Sequence, residues 1–324
     1  MAPLRFGIVG TNFISEWFTA ACGRTNGIAE AAAVMSRRPE TGEQFARAHG
    51  IGAVFTDLGE MAREVDAVYI ASPNGVHCEQ ALQAIEAGRH VLVEKVMATS
   101  EAEVRSIFEA AARRGVVAME ATRHLHTPAY RLLRETLPRL GTIRQASFAK
   151  CQYSSRYDTF RAGEIPNAFD PSLGNSSLAD IGVYVLEPAV DLFGEPLSAT
   201  GSSVLLHNGF EGVGSMTLSY EKLIVELSWS KITQSVTPSV ILGEEGALTI
   251  SDLAEPTLMR FHPRRGEPVT LLEGPVTPAD TMEHEIIAFA AQVQAGVTDP
   301  RWTQVTLRSR RLMVAHLAAV SRTA

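Results

Sequence analysis

Leu4-Arg-Phe-Gly-Ile-Val-Gly10-Thr-Asn-Phe-Ile-Ser15 is the stretch on which the fold turns. Residues 4–9 form a short, mostly apolar run, as a strand buried on both faces of a parallel sheet should. Gly10 then permits a tight turn, and a helical pattern follows. Outward from this unit the same alternation recurs, with strand candidates at 31–35, 53–55, 67–71, 91–93 and 116–119. The helices between them have readable ends. Ser100-Glu-Ala-Glu103 is a capping box, and Gly50, Gly88 and Gly115 stand where helix C-caps are needed. Six strand–helix alternations predict an α/β Rossmann domain, a doubly wound parallel sheet, over residues 1–122.

Beyond about residue 140 the pattern changes. Leu223, Val225, Leu227 and Trp229 alternate with mostly polar neighbours, which marks a half-buried strand. Residues 240–250 read as two strands joined by a glycine-bounded turn, with further strands at 257–261 and 269–272. Helices are expected at 178–193 and 282–295, and a final one from about 303 that packs across either domain. Segregated strands and helices indicate an α+β domain over 123–324 with an open, mostly antiparallel sheet.

Composition narrows the function classes. The 324 residues carry 29 Lys and Arg against 36 Asp and Glu, so the net charge is 29 − 36 = −7. A 45% apolar content supports a real core, while the acidic balance argues against a nucleic-acid partner, whose phosphates require a dense basic surface. Cys22, Cys78 and Cys151 are odd in number and never form a Cys-x-x-Cys pair, which argues against disulfides and a cysteine zinc site. His124-Leu-His126 lacks a third ligand at suitable spacing, so no metal is expected. No run approaches the ~18 apolar residues of a membrane helix. With no signal-peptide pattern at the start, the expectation is a cytoplasmic protein without a membrane partner.

Several residues have the chemistry of a nucleotide and substrate site. Gly10-Thr-Asn-Phe-Ile-Ser15 occupies the place of a Gly-x-Gly-x-x-Gly loop, with Asn12 and Ser15 at the second and third glycines. Asn tolerates left-handed backbone, and N–H groups at a helix N-terminus hold pyrophosphate. Gly10, Thr11, Asn12, Phe13 and Ile14 are therefore candidate cofactor contacts. The second strand ends in Met35-Ser-Arg-Arg38 with no carboxylate to accept from a ribose hydroxyl. Ser36 and Arg37 thus favour the 2′-phosphate of NADP(H) over NAD(H). Ser72, Pro73, Asn74 and His77 follow the fourth strand, and Glu94-Lys95 the fifth, at the strand ends where open α/β sheets bind ligands. Asp180 and Tyr184 stand four apart, which on a helix puts both on one face. A cation such as Lys95 near Tyr184 would favour the phenolate. Pro188 is expected to kink or end that helix.

In order along the chain, these motifs resemble the Gfo/Idh/MocA oxidoreductases. Glu120-Ala-Thr-Arg-His-Leu-His-Thr-Pro128 is similar to that family's crossover, Leu242-Gly-Glu-Glu-Gly-Ala-Leu248 to its sheet hairpin, and Glu283-His-Glu-Ile-Ile-Ala-Phe289 to its returning helix. Tyr184, rather than histidine, looks closest to the dihydrodiol and xylose dehydrogenase branch. The resemblance implies a nicotinamide in a cleft between the domains and hydride transfer to or from an alcohol or carbonyl of a sugar, polyol or cyclic diol. It further implies that Tyr184 exchanges the hydroxyl proton, Lys95 polarises that oxygen and Asp180 holds the substrate or positions Tyr184. A homodimer or homotetramer through the second sheet is also implied. The family's Glu-Lys-Pro is here Glu94-Lys-Val96, which removes the proline expected to carry a cis bond. Asn175-Ser176 replaces the usual Gly-Gly. With Asn12, these departures leave a non-catalytic nucleotide-binding regulator or scaffold as the alternative.

Overall fold

The computed structural model, which describes residues 2–320, opens with β1 (Leu4–Val9) at the middle of a six-stranded parallel sheet. After it come α1 (Phe13–Gly23), β2 (Ala29–Met35), α2 (Pro39–His49), β3 (Ala53–Phe55), α3 (Leu58–Arg63), β4 (Ala67–Ile70), α4 (His77–Glu86), β5 (His90–Glu94), α5 (Glu101–Arg114) and β6 (Ala118–Ala121). Strand order is β3-β2-β1-β4-β5-β6, the doubly wound arrangement. The capping box forms: Ser100 Oγ accepts from Glu103 N at 3.2 Å, and a Glu103 carboxylate oxygen accepts from Ser100 N at 3.0 Å. Gly50 and Gly115 end their helices in the left-handed conformation.

The chain divides into two units. The first is the chain up to His126 together with Pro278–Leu307; the second is Thr127–Thr277 together with the chain from Arg308. One face of the first sheet is closed by α1 and by α9 (Met282–Ala295), whose Met282, Ile286 and Phe289 join Phe6, Phe18 and Tyr69 in one core. The Phe6 and Phe289 rings lie 5.7 Å apart, and Tyr69 stacks on Phe18 at 3.7 Å. The other face buries Ile70, Val91, Val93, Ile85 and Ile107.

The second unit contains α6 (Pro128–Thr136), β7 (Ile143–Cys151), α7 (Tyr157–Arg161), α8 (Val183–Phe193) and the strands β8 (Ser198–Leu205), β9 (Glu211–Ser219), β10 (Ile224–Ser230), β11 (Ser239–Gly243), β12 (Gly246–Ile250), β13 (Leu258–Pro263) and β14 (Val269–Glu273). They form an eight-stranded sheet, β14-β13-β12-β11-β7-β10-β9-β8, antiparallel except where β7 and β10 pair in parallel. Val225, Leu227 and Trp229 of β10 are buried as their alternation requires, and Leu223 falls just outside the strand. β9 alternates over its second half, burying Met216 and Leu218, whereas β8 carries no clear apolar alternation. Most of β8 is exposed and its first six residues are small, as an outer strand tolerates.

Helix α8 corrects the reading of Pro188. It continues to Phe193 with residues 185–190 all buried, so packing offsets the ~3 kcal/mol that an interior proline costs. The last helix among the described residues is α10 (Pro300–Val320). Among the described residues no helix is long and apolar enough to cross a membrane.

Candidate functional site

The crevice at a switch point lies where β1 and β4 send their connections in opposite directions, and here the two loops are tied together. Asn12 Nδ2 donates to Ala71 O at 2.8 Å. Gly10 has φ +108°, and a Cβ there would come within 3.0 Å of the same carbonyl. Glycine is therefore needed at this position both for its dihedral and for the close approach. Asn12 itself is extended (φ −92°, ψ 178°), not left-handed as its place in the glycine loop suggests. Its Oδ1 accepts from Ile14 N at 3.1 Å and Ser15 N at 3.2 Å, making it the N-cap of α1. The side chain thus occupies two helix N–H groups that the motif assigns to a phosphate. Phe13 is exposed and packs edge-on against Trp17 at 5.3 Å, while Thr11 is half-buried.

At the end of β2, Ser36 is largely buried and Arg37 and Arg38 are exposed. Ser36 N donates to Phe55 O at 3.0 Å, which fixes the turn that leads into α2. After β4, Ser72 Oγ donates to Gln80 at 2.6 Å, and Pro73 leads into a short turn over Asn74–Val76. His77 is fully buried. Its Nε2 lies 2.7 Å from Ser72 O and its Nδ1 2.9 Å from Val96 O, so one imidazole pins the loop after β4 to the loop after β5.

Glu94 and Lys95 end β5. Glu94 is buried; it accepts from Tyr69 Oη at 2.5 Å and from Lys95 N at 3.2 Å. Lys95 is half-buried, and the Lys95–Val96 peptide bond is cis, so valine in the proline position keeps the cis bond after all. Behind Glu94, within the same unit, sits a group the sequence did not point to. Glu285 of α9 is fully buried, and neither carboxylate oxygen has a hydrogen-bond partner among the described residues. Burial, then the Glu94 charge, raise its pKa well above the ordinary carboxylate value, against an opposing pull from Arg123. Burial likewise raises that of Glu94. Arg123, also buried, donates to Thr281 Oγ1 at 2.6 Å.

In the second unit, Asp180 and Tyr184 do not share one continuous α-helix. Residues Leu178–Gly182 form a wide π-helical turn, and α8 begins at Val183. Such turns recur at functional sites because they re-aim side chains. Gly182 lies against the indole of Trp229, where a Cβ would come within 2.8 Å of Cγ. The turn is held at its start by Glu211, which accepts from Ser177 Oγ and Leu178 N, both at 2.8 Å. Its other oxygen accepts from Trp229 Nε1 at 2.7 Å and Ser203 Oγ at 3.0 Å. Ser203 Oγ is also 2.8 Å from His316 Nε2. Burial lowers the pKa of His316, so a neutral ring donates to Ser203, whose hydroxyl proton goes to Glu211.

Asp180 Oδ2 is 2.7 Å from Lys231 Nζ, and the Asp180 side chain keeps 41% of its exposure. Tyr184 is half-buried, with Lys150 Nζ 5.7 Å from its ring centroid. Asp252 at 2.6 Å and Glu255 at 2.9 Å bracket Lys150, so its pKa is raised although burial opposes this. Lys231, Glu211 and Lys150 escape a motif search because each gains its role from a partner distant in sequence.

Comparison with known proteins agrees with this layout. A model described as an oxidoreductase family with an NAD-binding Rossmann fold matches residues 4–122. The scyllo-inositol 2-dehydrogenase (NADP(+)) IolU of Bacillus subtilis is 41% identical over 81% of this chain and 80% of its own. The trans-1,2-dihydrobenzene-1,2-diol dehydrogenase of Mus musculus is 29% identical over 82% of this chain and 79% of its own. Among solved structures, a 3-ketoreductase from Actinomadura kijaniata shares the fold, with a TM-score of 0.84 over 98% of this chain and 97% of its own at 24% identity.

Proposed function

The chain belongs to the Gfo/Idh/MocA oxidoreductase family, and from that premise we propose an NADP(H)-dependent dehydrogenase acting on a sugar, polyol or cyclic diol. The observation that carries this reading is the likeness to the B. subtilis inositol dehydrogenase, joined to Lys95, Asp180 and Tyr184 in their motif positions. The dihydrodiol relative supports the cyclic-diol end of the range.

The first unit fits a dinucleotide. The loop after β1 is free of a Cβ at Gly10 where the chain passes close to Ala71, and no carboxylate stands at the end of β2 to repel a 2′-phosphate. Ser36 and Arg37 would hold that phosphate. Because Asn12 caps Ile14 and Ser15, the pyrophosphate falls to the loop amides of Thr11, Asn12 and Phe13. Ser72, Pro73 and Asn74 would border the cofactor, with His77 setting the position of both loops and Glu94 that of Lys95.

Bound NADP(H) supplies the hydride chemistry. The protein's own part is to bind and orient the substrate and to handle a proton. Tyr184 would exchange the hydroxyl proton, Lys95 would stabilise charge on that oxygen, and Asp180 would accept from a neighbouring substrate hydroxyl. The substrate-binding sheet is also the surface we propose for association with a second copy of this chain; a single-copy mass in solution would contradict that.

The test is NADPH formation across a panel of inositols, sugars and trans-diols, with Lys95→Ala and Tyr184→Phe compared. Loss of turnover in both variants with NADP affinity retained supports the reading. Turnover that survives both substitutions refutes the assignment of residues. Tight NADP binding with no turnover of any substrate would favour a nucleotide-binding regulator.

A further inference from the structure

Lys231 directly follows β10, and its side chain is among the few buried cations of the second unit, at 7% exposure. Burying an ammonium is costly unless its donors are matched. Here they are matched from three directions. Nζ donates to Ala168 O at 2.8 Å and pairs with Asp180 Oδ2 at 2.7 Å. It also lies over the rings of Phe169, at 5.0 Å, and Phe210, at 5.7 Å, where the negative π faces attract a cation. The backbone is fixed as well, since Lys231 N donates to Gly212 O at 3.0 Å.

Each of these partners is itself anchored. Phe169 packs with Phe160 and Phe210 in a small aromatic core, and Asn208 Nδ2 donates to Phe169 O at 2.8 Å. The ammonium therefore sits at a rigid point where the segment around Ala168, the end of β10 and the π-helical turn meet. For stability alone, an apolar side chain would serve as well beneath an aromatic cluster. What a methionine would not do is hold one oxygen of a carboxylate that remains 41% exposed.

We propose that Lys231 is a positioning residue for the reaction: it clamps one oxygen of Asp180, keeps the carboxylate aimed, and ties the segment around Ala168 to the same point. This rests on the reading above that Asp180 contacts the substrate. The neutral pair that results offers an acceptor to a substrate hydroxyl without presenting net charge, which suits an uncharged polyol.

The experiment compares wild type, D180N, K231M and the double variant D180N/K231M for kcat, KM and NADP affinity, with thermal unfolding to confirm folding. D180N is expected to lose turnover. K231M is expected to lose about 10- to 100-fold in kcat, the scale of a misaligned group, with NADP affinity unchanged. The double variant should fall within about threefold of D180N alone, because Lys231 acts through Asp180. If K231M does not fold, K231Q, a polar filler one bond shorter and without the charge that holds Asp180, takes its place in the same cycle. A folded K231 variant that keeps kcat within about twofold of wild type, or a loss that multiplies with that of D180N, overturns the proposal. A D180N enzyme with wild-type turnover instead refutes the substrate role of Asp180, and the positioning role falls with it.

Discussion

Trp229 Nε1 donates to Glu211 Oε1 at 2.7 Å, at the bottom of the second unit's core. The indole thereby orients a carboxylate whose other oxygen caps the turn bearing Asp180. Four donors converge on Glu211, so its charge is dispersed without an ion pair.

Truncating that carboxylate leaves buried donors stranded. Glu211→Ala is expected to destabilise the protein by about 2–4 kcal/mol, whereas Ser203→Ala, which removes one outer link, costs about 1 kcal/mol. Urea unfolding measures both. A loss below that of Ser203→Ala would mean the network is not organised around Glu211.

The indole also sets the size limit at position 182. In Gly182→Ala the new methyl meets Trp229 at 2.8 Å and Leu178 Cδ1 at 2.7 Å. The expected cost is about 1–3 kcal/mol, together with a fall in kcat because the turn must shift. A Gly182→Ala variant with wild-type melting temperature and turnover contradicts this packing.

Glu285 gives stability a pH dependence of definite sign. Its pKa is raised in the folded protein by burial and then by Glu94, while in the unfolded chain it ionises near the ordinary ~4.3. Above that pH the folded state holds a proton that the unfolded state has released, so stability falls as pH rises, until the folded group itself ionises. Glu285→Gln copies the protonated acid and removes this dependence. Its stability advantage over wild type should widen between about pH 5 and pH 8. Parallel curves for the two proteins would show that Glu285 is ionised in the fold.

Cofactor choice is testable at the end of β2. Arg37→Ala is expected to weaken NADP binding about tenfold or more while changing NAD binding far less, and Ser36→Asp to shift the preference towards NAD. Titration with both nucleotides reads this directly. Equal losses for NADP and NAD in Arg37→Ala would move the 2′-phosphate contact elsewhere.

How much of this was legible beforehand depends on the range of each interaction. β1, β3 and the Ser100–Glu103 capping box lie where the sequence places them, because apolar runs and caps are local signals. Gly10 was legible for the same reason. The extended backbone of Asn12 was not, since it answers to Ala71, 59 residues away. The break between Asp180 and Tyr184 follows from Trp229 pressing on Gly182, and nothing within the 178–193 window encodes that contact. Glu285 was visible as part of a returning helix, but its burial beside Glu94 without a hydrogen-bond partner among the described residues exists only once α9 lies on the sheet.

That placement of α9 has a consequence for how the chain is made. The face of the first sheet that carries Phe6 and Tyr69 is sealed by Met282, Ile286 and Phe289, so this core stays open until α9 has left the ribosome. A fragment ending at His126 would present that apolar face to water. This unit is thus assembled from two separate stretches of sequence, up to His126 and Pro278–Leu307, and a truncation or frameshift between them damages it as surely as a mutation in its own strands.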